Sequence, residues 1–227
     1  FNNIQSIKIL NMKINQGHAR CIATGLKYIF EKEDFDYVIP MDGDGEDRPE
    51  EIKSLVQKIQ ENPNLSAVAK RIKRSEGPFF QSLYQLHKLI TFIFAGQNIN
   101  FGNYSILTWK DVDKLHSKAS LWSSFSGSVK KNIKSLQEIN STRGLRYFGP
   151  SQMSLFKLII HSLSIIAVFK HQVFLRSSLI FIALVYLNLY LGNLTILLQI
   201  LIIIFSLIIF IVSKREKEEE LTNSHHN

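Results

Sequence analysis

This 227-residue sequence has a single cysteine and one long stretch without any acidic residue. Its single cysteine, Cys21, excludes an intramolecular disulfide framework and a cysteine-based zinc site, and is typical of a reducing compartment. We expect Cys21 to be a small buried residue. From Ile139 through Arg215 there is no Asp or Glu, although the chain holds 19 of them. So long an acid-free stretch is not expected of a soluble domain and predicts a membrane-embedded end.

The charges divide the chain in the same way. Residues 1–150 hold 21 Lys and Arg against 15 Asp and Glu, whereas residues 151–227 hold 6 and 4. The formal net charge of +8 favours an anionic partner. Because the cations form no known nucleic-acid module and have no stacking face, we expect no nucleic-acid partner, and an anionic membrane accounts for them.

Short apolar runs alternate with helical patterns along residues 1–150. Strands are predicted at Ile7–Leu10, Tyr37–Met41 and Leu65–Ala69, and the first helix is predicted at Gly17–Lys32. Alternating strands and helices are typical of an α/β domain with a largely parallel sheet. We therefore expect that fold class for this part of the chain.

Residues 173–213 are predicted to form two transmembrane helices. Asn193–Ser213 is uncharged and long enough to cross a hydrocarbon core of roughly 30 Å. Ser177–Gly192 is uncharged but shorter, and Gly192-Asn193 is a plausible turn between them. Cations flank both outer ends, so the positive-inside rule predicts a hairpin with its ends in the cytoplasm and residues 214–227 as a charged cytoplasmic tail.

Residues 151–172 are predicted to form a membrane-surface amphipathic helix. Within Met153–Phe169, Ser154, Lys157 and His161 recur at three- and four-residue spacing on an otherwise apolar helix. A third span and a buried core helix remain alternatives.

The chemistry concentrates in Met41–Glu50, directly after a predicted strand. Asp42 and Asp44 would repel each other there unless a cation neutralised them, and oxygen ligands favour Mg²⁺ or Mn²⁺. The alternative is a solvated acidic turn in which Asp47 and Glu50 cap the next helix as a capping box. A calcium loop is excluded, because its sixth position would be Asp47 instead of Gly.

A basic cluster follows the third predicted strand, where it could bind the phosphate of a substrate. The alternative is a surface that faces anionic headgroups. The same two interpretations apply, with less support, to two further arginines before the interfacial helix. The cluster comprises Lys70, Arg71, Lys73 and Arg74, and the two further arginines are Arg143 and Arg146.

Met41–Glu50 resembles the D-x-D region of family 2 glycosyltransferases, especially membrane-anchored polyprenyl-phosphate sugar transferases similar to dolichyl-phosphate mannose synthase. The match keeps Met41, Asp42, Asp44, Asp47, Pro49 and Glu50. Further segments resemble the family in the same order: Asn15–Arg20, Ala23–Leu26, Phe101–Leu107 and Gly149–Phe169.

The resemblance implies a GT-A fold, a nucleotide-sugar donor and a divalent metal. By carry-over, Asp42 and Asp44 are the catalytic residues, and they hold the metal together with Glu46. Substrate-binding positions are Arg71, Arg74, Asn103 and Arg143. Asn103 cannot act as a base, which fits an acceptor whose phosphate oxygen is already an anion.

We therefore expect an integral, multi-pass membrane enzyme with a cytoplasmic catalytic domain, transferring a sugar with inversion to a polyprenyl-phosphate-type lipid. The alternatives are another lipid or cell-envelope acceptor, or a non-catalytic membrane adaptor, which would have no need of Asp42 and Asp44. The resemblance also implies an N-terminally truncated chain, in which the strand and loop that recognise the donor base precede Phe1. A homo-oligomer is left open.

Overall fold

The computed structural model describes residues 4–73, 78–149 and 154–224. Its helices are α1 His18–Lys32, α2 Ile52–Glu61, α3 Pro78–Ile90, α4 Trp109–Leu115, α5 Ala119–Ser123, α6 Phe125–Asn132, α7 Leu155–Ala167, α8 Lys170–Leu191, α9 Asn193–Ser213 and α10 Glu218–Thr222. Its strands are β1 Tyr37–Val38, β2 Ala67–Lys73, β3 Phe101–Thr108 and β4 Gln137–Thr142. A 3₁₀ turn, Pro49–Glu51, precedes α2, and a π-helical turn, Thr91–Ala95, follows α3.

Across the described ranges, the four strands form one sheet in the order β1-β3-β2-β4. β2 and β4 are parallel, whereas β3 runs antiparallel to both β1 and β2. The α/β class is thus confirmed, but the largely parallel sheet is corrected to a mixed one. The sequence could not indicate this, because a buried apolar strand has the same pattern whichever way its neighbours run.

The strand predicted at Ile7–Leu10 is wrong. The chain forms no strand between residues 4 and 17, and the side chains of Ile7 and Ile9 are each 81% exposed. A strand exists only where a neighbour satisfies its backbone N–H and C=O groups, and no described strand lies beside this segment. The prediction for Cys21 is also wrong, because that side chain is exposed on α1.

The main core joins the sheet to the helices that follow it. Trp122 and Phe125, on α5 and α6, are almost fully buried in one cluster with Ile166 and Val168 at the end of α7. Each such side chain contributes about 1.5–3 kcal/mol by leaving water. The C-terminal end of α7 is therefore anchored in the α/β domain and not held by a membrane alone.

Within the described residues, α8 and the helical stretch that begins with α9 are long and apolar enough to cross a membrane. Gly192 connects them with a φ of 55°, as a tight turn requires. Nζ of Lys170, at the start of α8, lies 2.9 Å from a carboxylate oxygen of Glu216, just after α9. The two outer ends of this helical pair are therefore side by side.

The C-terminal segment docks back on the α/β domain through α10. Leu221 is 1% exposed, and Nζ of Lys27 on α1 donates to its carbonyl oxygen at 3.2 Å. Nε1 of Trp122 donates to Glu220 at 2.8 Å. The residues after α9 are therefore fixed against the same domain that precedes α8.

Candidate functional site

Asp42 lies in the loop after β1 and is held on two sides. Its Oδ1 accepts a hydrogen bond from Nδ2 of Asn103 on β3, at 3.1 Å. Its backbone N–H donates to Oδ2 of Asp47 at 3.0 Å. The fold thus brings together two of the predicted site residues, Asp42 and Asn103, from segments about 60 positions apart.

Asp47 does not cap α2 as the capping box predicted. The 3₁₀ turn begins after Arg48 with no side-chain cap. Asp47 is 4% exposed; it accepts from Asp42, and one of its oxygens lies 3.8 Å from Nη2 of Arg71. Burial raises the pKa of Asp47, while the Asp42 amide and Arg71 oppose that shift. Asp47 therefore holds the loop in place through the Asp42 amide and Arg71, and it does not cap the helix.

Arg146 joins the next two acids of the loop. Its Nη1 lies 3.0 Å from Oδ2 of Asp44, and its Nε lies 3.1 Å from Oε1 of Glu46. A second contact joins Nη2 to the other Glu46 oxygen at 3.2 Å. Arg143 also forms an ion pair with Glu46. The Glu46 carboxylate is therefore neutralised by two guanidinium groups.

Backbone hydrogen bonds attach the acidic loop to residues 143–149, which lead toward α7. The Gly144 N–H donates to the carbonyl of Glu46 and the Tyr147 N–H to that of Asp44, both at 2.9 Å. Gly45 has a φ of 91°, and a Cβ there would lie 2.8 Å from the Tyr147 ring. Only glycine fits this close approach.

Asp42 and Asp44 are the acids of this loop that could hold a divalent cation. Magnesium is held in proteins by one or two carboxylates plus substrate phosphates, so two aspartates at the end of a strand fit it. No cluster of three or more His, Cys, Asp or Glu that could hold a metal occurs in the described ranges. Both oxygens of Glu46 pair with Arg143 and Arg146, and Oδ2 of Asp44 pairs with Arg146, so these two acids already have cationic partners.

The predicted basic cluster does not follow its strand but lies within it. Lys70 and Arg71 belong to β2. Lys70 pairs with Glu138 on β4 at 3.2 Å, and Arg71 lies beside Asp47 and Gly102. Arg74 lies outside the described residues. Arg71 is thus close to the acidic loop, whereas Lys70 faces another acid.

His161 on α7 also lies near this loop. Its ring centroid is 5.5 Å from that of His18, at the start of α1. Burial, with a smaller contribution from neighbouring His18, lowers the pKa of His161 to about 4, and Asp42 acts in the opposite direction. The sequence places His161 on the polar stripe of the α7 segment but assigns it no role in the site.

Comparisons with known proteins address the family directly. The family described as Glycosyl transferase family 2 matches residues 1–114, which is just over half of the 227-residue chain. A comparison with curated proteins gives no match. The matched region includes Asp42, Asp44 and Asn103 in a mixed α/β fold consistent with GT-A. The chain therefore belongs to glycosyltransferase family 2 and is a glycosyltransferase, which implies a nucleotide-sugar donor and an acceptor.

Proposed function

We propose that this glycosyltransferase transfers a sugar, with inversion and with the help of Mg²⁺ or Mn²⁺, from a nucleotide-sugar to a polyprenyl-phosphate-type lipid at the cytoplasmic face of a membrane. One observation carries the proposal. The acidic loop is hydrogen-bonded through Gly144 and Tyr147 to the segment that leads toward α7 and the two candidate spans. An acceptor whose head stays at a bilayer surface would meet the donor there.

Asp42 and Asp44 would hold the metal on the donor diphosphate. When bound there, the cation neutralises charge that develops on the departing nucleotide. Asn103 orients Asp42 through the 3.1 Å hydrogen bond. Asp47 and Arg71 support the loop behind it, and Arg143 and Arg146 hold Glu46. The contacts of Asn103, Asp47 and Arg71 hold Asp42 and its loop in place before substrate arrives.

The acceptor chemistry needs no general base from the chain. A phosphate monoester with a second pKa near 6 carries an anionic oxygen at neutral pH. That oxygen forms a bond to the anomeric carbon while the bond from this carbon to the donor diphosphate breaks, and the nucleoside diphosphate leaves. Asn103, which cannot take a proton from an alcohol, is compatible with such an acceptor.

The membrane arrangement rests on the helices at the end of the chain. Helix α7, with 13 residues, is about 20 Å long, too short to cross a bilayer unaided, so we assign it to the membrane surface. The ion pair between Lys170 and Glu216, with the docked α10, supports a hairpin whose two ends lie on the side of the catalytic domain. Lys214 and Arg215 after α9 favour the cytoplasmic side.

The test uses the full chain in detergent with a panel of nucleoside-diphosphate sugars and farnesyl phosphate as a short acceptor. We expect the sugar–lipid product and free nucleoside diphosphate to form together, and chelation by EDTA to stop both. Asp42→Asn should abolish transfer, whereas the exposed Asp34→Asn should retain it. Transfer that is unaffected by EDTA and by Asp42→Asn would refute the metal assignment; transfer to farnesol but not to farnesyl phosphate would refute the acceptor.

A further inference from the structure

A cleft of about 660 Å³ lies between the start of α1 and residues 156–164 of α7. Its walls include Arg20, Lys157 and Arg215, together with Trp122 and Phe156. In the part of the chain that the structure describes, no Asp or Glu lines it. A cavity that has cations at one wall and apolar rings at another suits a ligand with an anionic group and an apolar part.

Arg20 and Arg215 line the same cleft, and among the described residues no acid lines it with them. No described carboxylate lies within ion-pair distance of either guanidinium group, and Nε of Arg20 is buried with no hydrogen-bond partner. Burial lowers the pKa of Arg215, and the charge of Arg20 lowers it further. Two like charges held in this way favour an anion that would neutralise both.

An acid near Arg20 already has other partners, so it does not neutralise the charges of the two arginines. Glu220 is the acid whose pKa responds to Arg20, but its carboxylate is bound by Trp122 and Lys217. The Arg20 guanidinium lies 5.4 Å from the Trp122 ring centroid, which holds it at the cleft wall. The first turn of α1 adds amide groups, because its N-cap, Gly17, offers no side-chain cap.

The apolar part of the cleft continues toward the membrane-facing elements. Phe156 is 72% exposed and Ile160 lies one turn further along α7, so both offer an apolar wall. Arg215 stands two residues beyond the end of α9, a candidate span. The cationic end of the cleft therefore lies where a lipid headgroup would sit if α9 crosses a bilayer.

We propose that this α1–α7 cleft binds the phosphate head of an isoprenoid-type amphiphile, with Arg20, Arg215 and Lys157 holding the phosphate and Phe156 and Ile160 contacting the first part of the chain. The inference rests on the proposed function, since it assigns residues to that acceptor class. It goes beyond the sequence prediction, which gave Arg71, Arg74, Asn103 and Arg143 as substrate-binding positions. The C-terminal segment after α9 thereby contributes a residue to ligand binding.

Binding is measured on the full chain in a neutral detergent, without donor or metal, with fluorescently labelled farnesyl phosphate as the probe and unlabelled farnesyl phosphate, farnesol and inorganic phosphate as competitors. Arg20→Gln and Arg215→Gln should each weaken probe binding about 5- to 10-fold, as expected for loss of one charge-assisted contact. Lys214→Gln, a neighbouring exposed cation outside the cleft, is the matched control and should bind as the unmodified chain does.

The competitors separate the two sources of phosphate. Farnesyl phosphate should displace the probe at concentrations at least tenfold below those of farnesol or inorganic phosphate. Displacement by inorganic phosphate at equal concentration would overturn the lipid assignment and leave a site for free phosphate. Unchanged binding in Arg215→Gln, which lies on an exposed segment and should not disturb the core, would overturn the inference.

Failure of the two proposals is distinguishable. If the binding pattern holds but no donor supports transfer, the cleft assignment stands and the proposed function fails. If transfer to farnesyl phosphate depends on Asp42 while Arg20→Gln and Arg215→Gln leave both probe binding and KM unchanged, the cleft assignment fails and the proposed function stands.

Discussion

Nδ2 of Asn103 donates a hydrogen bond to Oδ1 of Asp42 at 3.1 Å, and so joins the acidic loop to a strand inside the sheet. Asn103 is 8% exposed, so its amide has few alternative orientations. The donated hydrogen bond restricts the rotation of the Asp42 side chain. A carboxylate held in this way is prepared to bind a cation without rearrangement.

Asn103→Ala should lower turnover about 10- to 100-fold, because partners that orient a metal ligand typically have effects of that size. The measurement is the initial rate of sugar transfer at saturating donor, with circular dichroism to verify folding. Asn98→Ala, at an exposed position, is the control. Equal rates for Asn103→Ala and the control would show that Asp42 does not depend on this hydrogen bond.

Arg146→Gln should lower the concentration of Mg²⁺ needed for half-maximal activity. Arg146 neutralises part of the Asp44 charge at 3.0 Å, so its loss leaves Asp44 more attractive to a cation. Arg48→Gln is the matched control, since the Arg48 side chain is 44% exposed and lies 3.7 Å from Glu50. A higher metal requirement in Arg146→Gln would mean that the arginine supports the metal site instead of competing with it.

Gly45→Ala should destabilise the protein by about 1–3 kcal/mol, because alanine is strained at a φ of 91° and its Cβ would meet Tyr147. Gly43→Ala is a close control, since a Cβ there has nothing within 4 Å. Thermal unfolding in detergent measures both variants. A similar melting temperature for the two would indicate that residues 143–149 move aside easily.

His161→Gln should flatten the pH dependence of stability between about pH 6.5 and pH 4. Burial lowers the pKa of His161 to about 4, whereas the unfolded value is 6.5, so the unfolded chain binds more protons in this window. The stability contributed by neutral His161 is present above pH 6.5 and is lost as the pH falls toward 4, by at most about 3 kcal/mol. The free energy of unfolding of both proteins is measured at pH 7 and at pH 4.5. If it falls by the same amount in both, His161 is not a buried neutral imidazole.

Cys21 offers a direct test of topology because it is exposed on the catalytic domain. In sealed membrane vesicles, a membrane-impermeant maleimide should label Cys21 from one side and a cysteine at Asn193, placed in a Cys21→Ser background, from the other. Glu219→Cys in the same background should follow Cys21, because α10 docks on that domain. Labelling of residues 193 and 219 from the same side would exclude the hairpin.

The site was predicted from the sequence to the extent that its chemistry is local. Asp42 and Asp44 are separated only by Gly43 and follow an apolar run, so the sequence alone singles them out as candidates. Arg146 reaches Asp44 and Glu46 from about 100 residues away, and His161 on α7 comes close enough for Asp42 to affect its pKa. Such long-range pairs depend on how the elements pack, and a single sequence carries no measure of that distance.

The sequence by itself determined where the polar and apolar material lies: an α/β domain, an acidic loop after a strand, and a C-terminal end without acids over two long apolar helices. These features follow from the amino-acid composition and from the spacing of apolar residues along the chain, which depend only on each residue and its near neighbours. Only the tertiary structure decided that β3 runs antiparallel to its neighbours, that Glu46 is held by Arg143 and Arg146, and that Arg20 and Arg215 line one cleft. Those outcomes depend on burial and charge pairing between distant segments, which the chain acquires only when it packs.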